Sequence, residues 1–442
     1  MPVSIKLRRI ATAIALTLLS GAASAAQFDY TLYAGVEHSD NIDLSPNNPV
    51  SENVLIPGMN FTFVQAGSRV QANVAGNLEY RDYLGGSFSN QLFAQVSGQV
   101  NWTLLPQRLD FEVDDYAGVQ PVASLATNSP DNQQQTNVLL VGPTLHFMLG
   151  DSLRGQAELR YINSTAQKTK EFDSNRGQGA LRIFKDLSAT DQLSVNIESQ
   201  HVDFENQGGG PNYDRDQIFG RYVSKLALFD IDAMAGWSRI RYDQAKDATT
   251  PLAQVSISWR PVASSTFTAA AGRQYSDAAQ DMMVQPGQQL IPAAVGDISA
   301  GGGRGISTGD AIVGSQVYVE QRFEGIYAYT AERLSFRVAP FFRKLSYLND
   351  PTFDEKGRGG SIGVDYRLPG QLLLSAYGNT ERLTYQFLDR QDKHTAYGLS
   401  LSSNRTPHWG WRVSYTHDQQ SSTDATQSYR ENEIYVGIVF KR

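Results

Sequence analysis

The 442-residue chain has no cysteine, so a disulfide framework and a thiolate metal site are both excluded. It has no run of about 18 uninterrupted apolar residues, which excludes a membrane-spanning helix. Histidine is scarce. His38, His146, His201, His394, His408 and His417 are scattered, and none falls in a metal-ligand spacing. An excess of one charge is also missing. The 38 Lys and Arg stand against 45 Asp and Glu, a net charge of −7 spread along the chain, and nothing points to nucleic acid. Mean hydropathy is only −0.35.

What is present is a rhythm. From Gln27 to Arg442, apolar and polar residues alternate in runs of about ten to fifteen, the pattern of a strand with one face in lipid and the other in water. Val70–Tyr80 and Leu92–Trp102 are two such runs. Half of each strand meets water, which explains the low hydropathy of a membrane protein. The 21 Tyr, 20 Phe and 5 Trp supply interfacial girdles. The amino terminus reads as a secretory leader over residues 1–25. Lys6, Arg8 and Arg9 precede a short apolar core, and Ala23-Ser24-Ala25 forms a cleavage site. The expected organisation is therefore a cleaved leader and one barrel domain over 26–442, in the bacterial outer membrane after Sec-type export.

The expected fold is all-β: an antiparallel, up-and-down transmembrane β-barrel of about 20 strands, with 18 as the alternative. The first runs over Phe28–Ile42, the sixteenth over Ser361–Leu368, the eighteenth over Thr395–Ser403 and the last over Asn432–Phe440. The gaps are alternately short, such as Ala66-Gly67-Ser68 and Pro369-Gly370, and long. That asymmetry predicts short periplasmic turns, long extracellular loops and both termini in the periplasm. A bulge is expected near Ser238–Arg241, where the alternation slips. Pro143 and Pro340 lie inside strands and should each bulge the strand or break a ladder bond. The terminal strand ends in Phe440, followed by Lys441 and Arg442.

Strand phase assigns the lumen. Glu79, Arg81, Asp110, Glu112, Asp114, Arg154, Glu158, Arg160, Arg333, Arg337, Arg343 and Arg412 should line it. Such charges either orient a solute or pair with their neighbours across the wall, and pairing is the commoner outcome. Tyr213, Tyr222, Tyr242, Tyr275, Tyr347, Tyr377 and Tyr385 are expected mostly as girdle residues. The gap over 276–315 is the longest. It contains Gly301, Gly302, Gly303, Arg304 and Gly305, and reads either as a gating loop folded into the mouth or as a surface loop. The glycine run is no phosphate cradle, because the flanking strand, helix and Lys-Ser/Thr are missing. No catalytic constellation is apparent, so neither an enzyme nor a cofactor is expected. A separate plug or passenger domain is not expected either.

Gly35–Leu44, the following Val54–Phe61, and Val141-Gly-Pro-Thr-Leu145 resemble segments of the Putative beta-barrel porin 2 group, which includes EpsL-type outer-membrane proteins of exopolysaccharide operons and PEP-CTERM-associated relatives. The resemblance implies a part in secreting a surface polysaccharide. General or sugar-selective uptake and a structural or adhesive surface barrel remain as alternatives. Outer-membrane lipid, lipopolysaccharide and the barrel-assembly machinery are the expected partners, with polysaccharide and periplasmic export components beside them.

Overall fold

The computed structural model describes residues 26–206, 210–243, 245–283, 313–404 and 406–442. The leader and the Gly301–Gly305 run lie outside the described residues. Twenty strands follow one another in a meander. They are β1 (Ala26–Ser39), β2 (Glu52–Ala66), β3 (Val70–Tyr83), β4 (Gln91–Leu105) and β5 (Leu109–Pro121), then β6 (Gln133–Met148), β7 (Leu153–Ala166), β8 (Ser174–Asp186), β9 (Asp191–Phe204) and β10 (Tyr213–Lys225). The second half comprises β11 (Phe229–Tyr242), β12 (Ala248–Val262), β13 (Ser265–Asp277), β14 (Val317–Thr330) and β15 (Leu334–Tyr347), then β16 (Glu355–Leu368), β17 (Leu372–Tyr385), β18 (Arg390–Ser403), β19 (Trp409–Ser422) and β20 (Tyr429–Lys441). Among the described residues one short α-helix, α1 (Ala278–Met282), follows β13.

Each strand pairs antiparallel with its sequence neighbours. β1 also pairs with β20, from Thr31↔Lys441 to Ser39↔Glu433, so the sheet closes on itself. Closure leaves no open edge in the hydrocarbon, the condition a spanning sheet has to meet. Among the described residues no helix is long and apolar enough to cross a membrane. The crossing is made by strands.

Several strands are longer than the alternation alone indicates. β16 begins at Glu355 rather than Ser361, β18 at Arg390 rather than Thr395, and β20 at Tyr429 rather than Asn432. About 9–11 tilted residues suffice to cross the hydrocarbon. The additional residues stand in a polar rim at the long-loop end, where backbone pairing continues without an apolar face. The first strand is shorter than expected, ending at Ser39. Ile42 and Leu44 instead bury in the following loop.

The prolines act through their missing N–H. β6 and β7 pair at Val141↔Tyr161 and again at Thr144↔Glu158, with Gly142 and Pro143 skipped and the register unchanged. Pro340 leaves the same gap between Glu324↔Phe341 and Tyr327↔Val338, and Pro57 another between Leu55↔Asp82 and Gly58↔Glu79. Each of these three prolines breaks one ladder locally without a bulge. The bulge expected near Ser238–Arg241 is absent, because β11 keeps continuous register with β10 and β12 through that stretch. Its polar outward residues slip the alternation only because they rise above the lipid belt.

The outer face is apolar. Leu159 and Trp237 are about two-thirds exposed (65% and 67%), as lipid-facing side chains are in the absence of lipid. At the short-turn end aromatic rings from five successive strands form a chain. Phe229 meets Trp259 at 6.0 Å, Trp259 meets Phe267 at 5.3 Å, Phe267 meets Tyr327 at 4.3 Å and Tyr327 meets Phe336 at 5.4 Å. Phe440 of the last strand packs edge-on against Trp409 at 5.0 Å. These rings make the girdle. Most of the tyrosines expected there do not. Tyr213, Tyr242, Tyr275, Tyr347 and Tyr385 are buried inside the barrel at the long-loop end. Tyr377 also faces inward, filling the space over Gly398 with its hydroxyl 3.2 Å from Thr416 Oγ1. Tyr222 alone of that set stays on the outward row, opposite Leu193 and Ala233. The alternation was read correctly, but strand ends at the long-loop side project beyond the membrane, where tyrosine packs inside.

Candidate functional site: the lumen and its mouth

The inward row carries most of the charges expected there, largely paired within the wall. Glu79 accepts from Tyr33 Oη at 3.0 Å and from Arg81 Nε at 2.8 Å, while Arg81 also lies 3.9 Å from Glu37. Asp110 meets His146 at 3.0 Å, and Glu112 holds Arg160 at 2.7 Å. Arg182 sits between Glu158 at 2.9 Å and Glu198 at 2.7 Å. Arg154 pairs with Asp186 at 2.7 Å near the short-turn rim. Arg343 reaches Glu355 at 2.8 Å and Glu381 at 3.7 Å. Asp114 is buried on the same row, Arg337 lies opposite Ala328 and Gly363, and Arg412 donates to Ser400 Oγ at 3.4 Å. Arg333 is the exception. It lies in the exposed turn just before β15. The strand starts at Leu334, so strand phase does not extend to position 333.

Cross-strand pairing of opposite charges is the ordinary way to stabilise a polar sheet face. It leaves hydroxyls, amides and aromatic faces as the groups a passing solute meets. Among the described residues no cluster of three or more His, Asp or Glu is placed to hold a metal.

The mouth at the long-loop end is narrowed by the chain itself. β12 and β13 pair only as far as Ala253↔Arg273, whereas β13 and β14 stay paired up to Asp277↔Val317. Residues 274–277 are thus unzipped from β12, and the hairpin tip bends into the barrel. Tyr275, Val317 and Val319 pack with Val202, Phe204, Tyr213, Ile240 and Tyr242 from the inner wall of β9–β11. Beyond them Ala278, Ala279 and Met282 of α1 pack with Val138, Ile162 and Ala166 of β6 and β7, and also with Leu345 and Tyr347 of β15. Two walls eight or nine strands apart in order meet through this helix.

Polar contacts hold the tip. Asp277 caps α1 by accepting from Ala279 N at 3.0 Å and Gln280 N at 3.1 Å. Its other oxygen takes Arg176 Nη1 at 2.8 Å and Tyr213 Oη at 2.9 Å. Arg215 donates to Gln280, and Ser276 and Tyr318 both donate to Asp281. Burial, reinforced by the charge of Glu320, pushes the Asp281 carboxyl up to about 7. Gly210 N donates to Ser315 Oγ from the facing loop.

A second segment crosses the rim. In the loop after β5, Leu125 O accepts from Arg390 Nη1 at 2.6 Å, and Thr127 N donates to Gln427 at 3.1 Å. Arg176, Tyr213 and Asp277 were missed in the sequence because their partnership spans unrelated strands. Only the helix start was legible, as an Asp followed by Ala-Ala-Gln.

Residues 358–442, which run from β16 to β20, match the family described as Putative beta-barrel porin 2. That match lies at the carboxyl end, away from the amino-terminal segments on which the resemblance was read. No curated protein matches the chain. Among solved structures, a mutant of the ferric enterobactin receptor PfeA from Pseudomonas aeruginosa is similar at 10% identity and a TM-score of 0.47, over 96% of this chain and 81% of that one. The FrpB iron transporter from Neisseria meningitidis is similar at 8% identity and a TM-score of 0.46, over 97% and 83%. A closed barrel sheathed in apolar residues and polar within, whose last five strands match a family of beta-barrel porins, is an outer-membrane porin-like β-barrel protein.

Proposed function

We propose that this barrel assists export of a surface exopolysaccharide, with the short turns and both termini in the periplasm and the long loops outside. The observation that carries the reading is the character of the lumen wall. Its charges are mostly neutralised by neighbours, as in Glu158–Arg182–Glu198 and Glu112–Arg160. A hydrated, extended polymer would find many weak hydroxyl, amide and ring contacts and no deep electrostatic trap. The hairpin tip and α1 would restrict the mouth until the polymer displaces them. The resemblance to exopolysaccharide-operon proteins supports the same reading. Periplasmic export components would then deliver the chain, and the terminal strand ending near Phe440 would be read by the barrel-assembly machinery.

The narrowed mouth also suits a sugar-selective uptake porin better than an open diffusion pore. A deletion strain separates the two. Export predicts polymer held in the periplasm or lost from the surface, and restored by the intact gene. Unchanged surface polymer with slower sugar uptake would replace export by uptake.

A further inference from the structure

One part of the outer surface is not apolar. On β15–β18, at the long-loop end, Lys344, Lys356, Arg358, Arg382 and Lys393 share the outward row. The register sets their direction. Phe342 stands opposite Arg358, Arg358 opposite Arg382, and Arg382 opposite Lys393, while Lys344 stands opposite Lys356. Phe342, Ile362 and Tyr397 occupy the same outward rows and belong to the exposed apolar belt. Each cation that shares a strand with one of them lies one to three outward places beyond it, where hydrocarbon gives way to headgroups.

Like charges directly opposite across a ladder destabilise it. Three such pairs adjoin here, and none of the five cations has an ion pair or side-chain hydrogen bond among the described residues. The outward cations of β11 differ. Arg239 is paired with Asp247 at 2.6 Å and Arg241 with Asp216 at 2.9 Å. The rim cations of β11 are thus paired within the protein, whereas this patch of adjoining cations is left to an external anion.

We propose that the patch binds the phosphate groups of an anionic membrane lipid in the leaflet at the long-loop end. Strands about 4.8 Å apart place the two guanidinium groups and the Lys393 ammonium within reach of one multiply charged headgroup. Arginine forks suit phosphate oxygens. The acyl chains of the same lipid would lie on the apolar belt directly below.

The test compares lipid carried through purification by the wild-type barrel, by K356Q/R358Q/R382Q/K393Q and by the control R239Q/R241Q. All three are washed in neutral detergent and read by phosphorus content and native mass spectrometry. Wild type and control should retain phosphorylated lipid, and the quadruple variant should retain about tenfold less or lower still. Equal retention by wild type and the quadruple variant, both heat-modifiable on gels, would overturn the proposal. Should the quadruple variant fail to fold, R382Q alone should lower retention several-fold, and no change would overturn it equally. Anionic vesicles of a phosphorylated lipid should restore the loss in stripped wild type. Displacement of that lipid by millimolar inorganic phosphate would show a simple anion site and refute the lipid assignment.

Discussion

Arg176 and Asp277 are 101 residues apart in the chain, yet their side chains meet at 2.8 Å with 2% and 3% of their surface exposed. The contact joins the inner wall at β8 to the tip of the inward-bent hairpin. It is the strongest polar tie between the two, because Asp277 also accepts from Tyr213 and caps α1.

Removing one partner should therefore open the mouth. Arg176→Met leaves a buried carboxylate without its cation, which costs on the order of 3–5 kcal/mol. The hairpin is expected to swing out rather than bear that cost. Single-channel conductance in planar bilayers should rise. Asp277→Asn should act more weakly, since Asn still caps a helix. Conductance identical to wild type in Arg176→Met would refute the tie.

The mouth should open as pH rises. Asp281 lies in α1, its carboxyl pushed up to about 7 by burial and by Glu320, against 3.8 in the unfolded chain. Because the docked state holds this proton more tightly, the contribution is whole below about pH 4 and is lost as pH rises through about 7. Conductance should thus increase between pH 5 and pH 8. Asp281→Asn should flatten that response. A wild-type channel that instead opens on acidification would contradict the assignment.

Gly142, on the inward row opposite Glu112, and Gly177, on the outward row opposite Tyr161, should respond oppositely to alanine. A Cβ on Gly142 would fall 1.9 Å from the Leu159 carbonyl oxygen, where the ladder has lapsed beside Pro143 and the strands crowd together. Gly177 has nothing within 4 Å of the same position. Gly142→Ala should cost about 1–3 kcal/mol by overpacking and reduce the heat-modifiable fraction. Gly177→Ala should fold as wild type. Equal folded yields would remove the distinction.

The aromatic chain at the short-turn end should be cooperative. Trp259 stacks between Phe229 and Phe267. Trp259→Ala should lower stability by about 1–3 kcal/mol in urea titrations in lipid, each ring pair contributing about 0.5–1.5 kcal/mol beyond buried area. A double-mutant cycle with Phe267→Ala should show positive coupling, and simple additivity would argue that the rings act independently.

The barrel itself was legible residue by residue. Alternation at Val70–Tyr80 or Leu92–Trp102 reports a two-sided environment, and a strand's period of two converts that directly into which side chains meet lipid. The inward placement of Glu79, Arg81, Glu112 and Arg160 followed from the same period. Turn chemistry at Pro369-Gly370 located strand ends, and the lack of cysteine and of long apolar runs removed a disulfide framework and a spanning helix. These are local properties, and local sequence determined them.

Tertiary structure alone decided what happens at the long-loop end. Strands such as β16 and β18 extend past the lipid, where alternation no longer distinguishes faces, so Tyr213, Tyr275 and Tyr347 turned from girdle to interior. Pairing of Arg176 with Asp277, and of Arg182 with Glu198, depends on which strands become neighbours and how the sheet closes. The inward bend of the β13–β14 tip depends on where β12 stops pairing. A period of two records the face of each residue but not the partner across the lumen, because that partner is set by closure of the whole sheet.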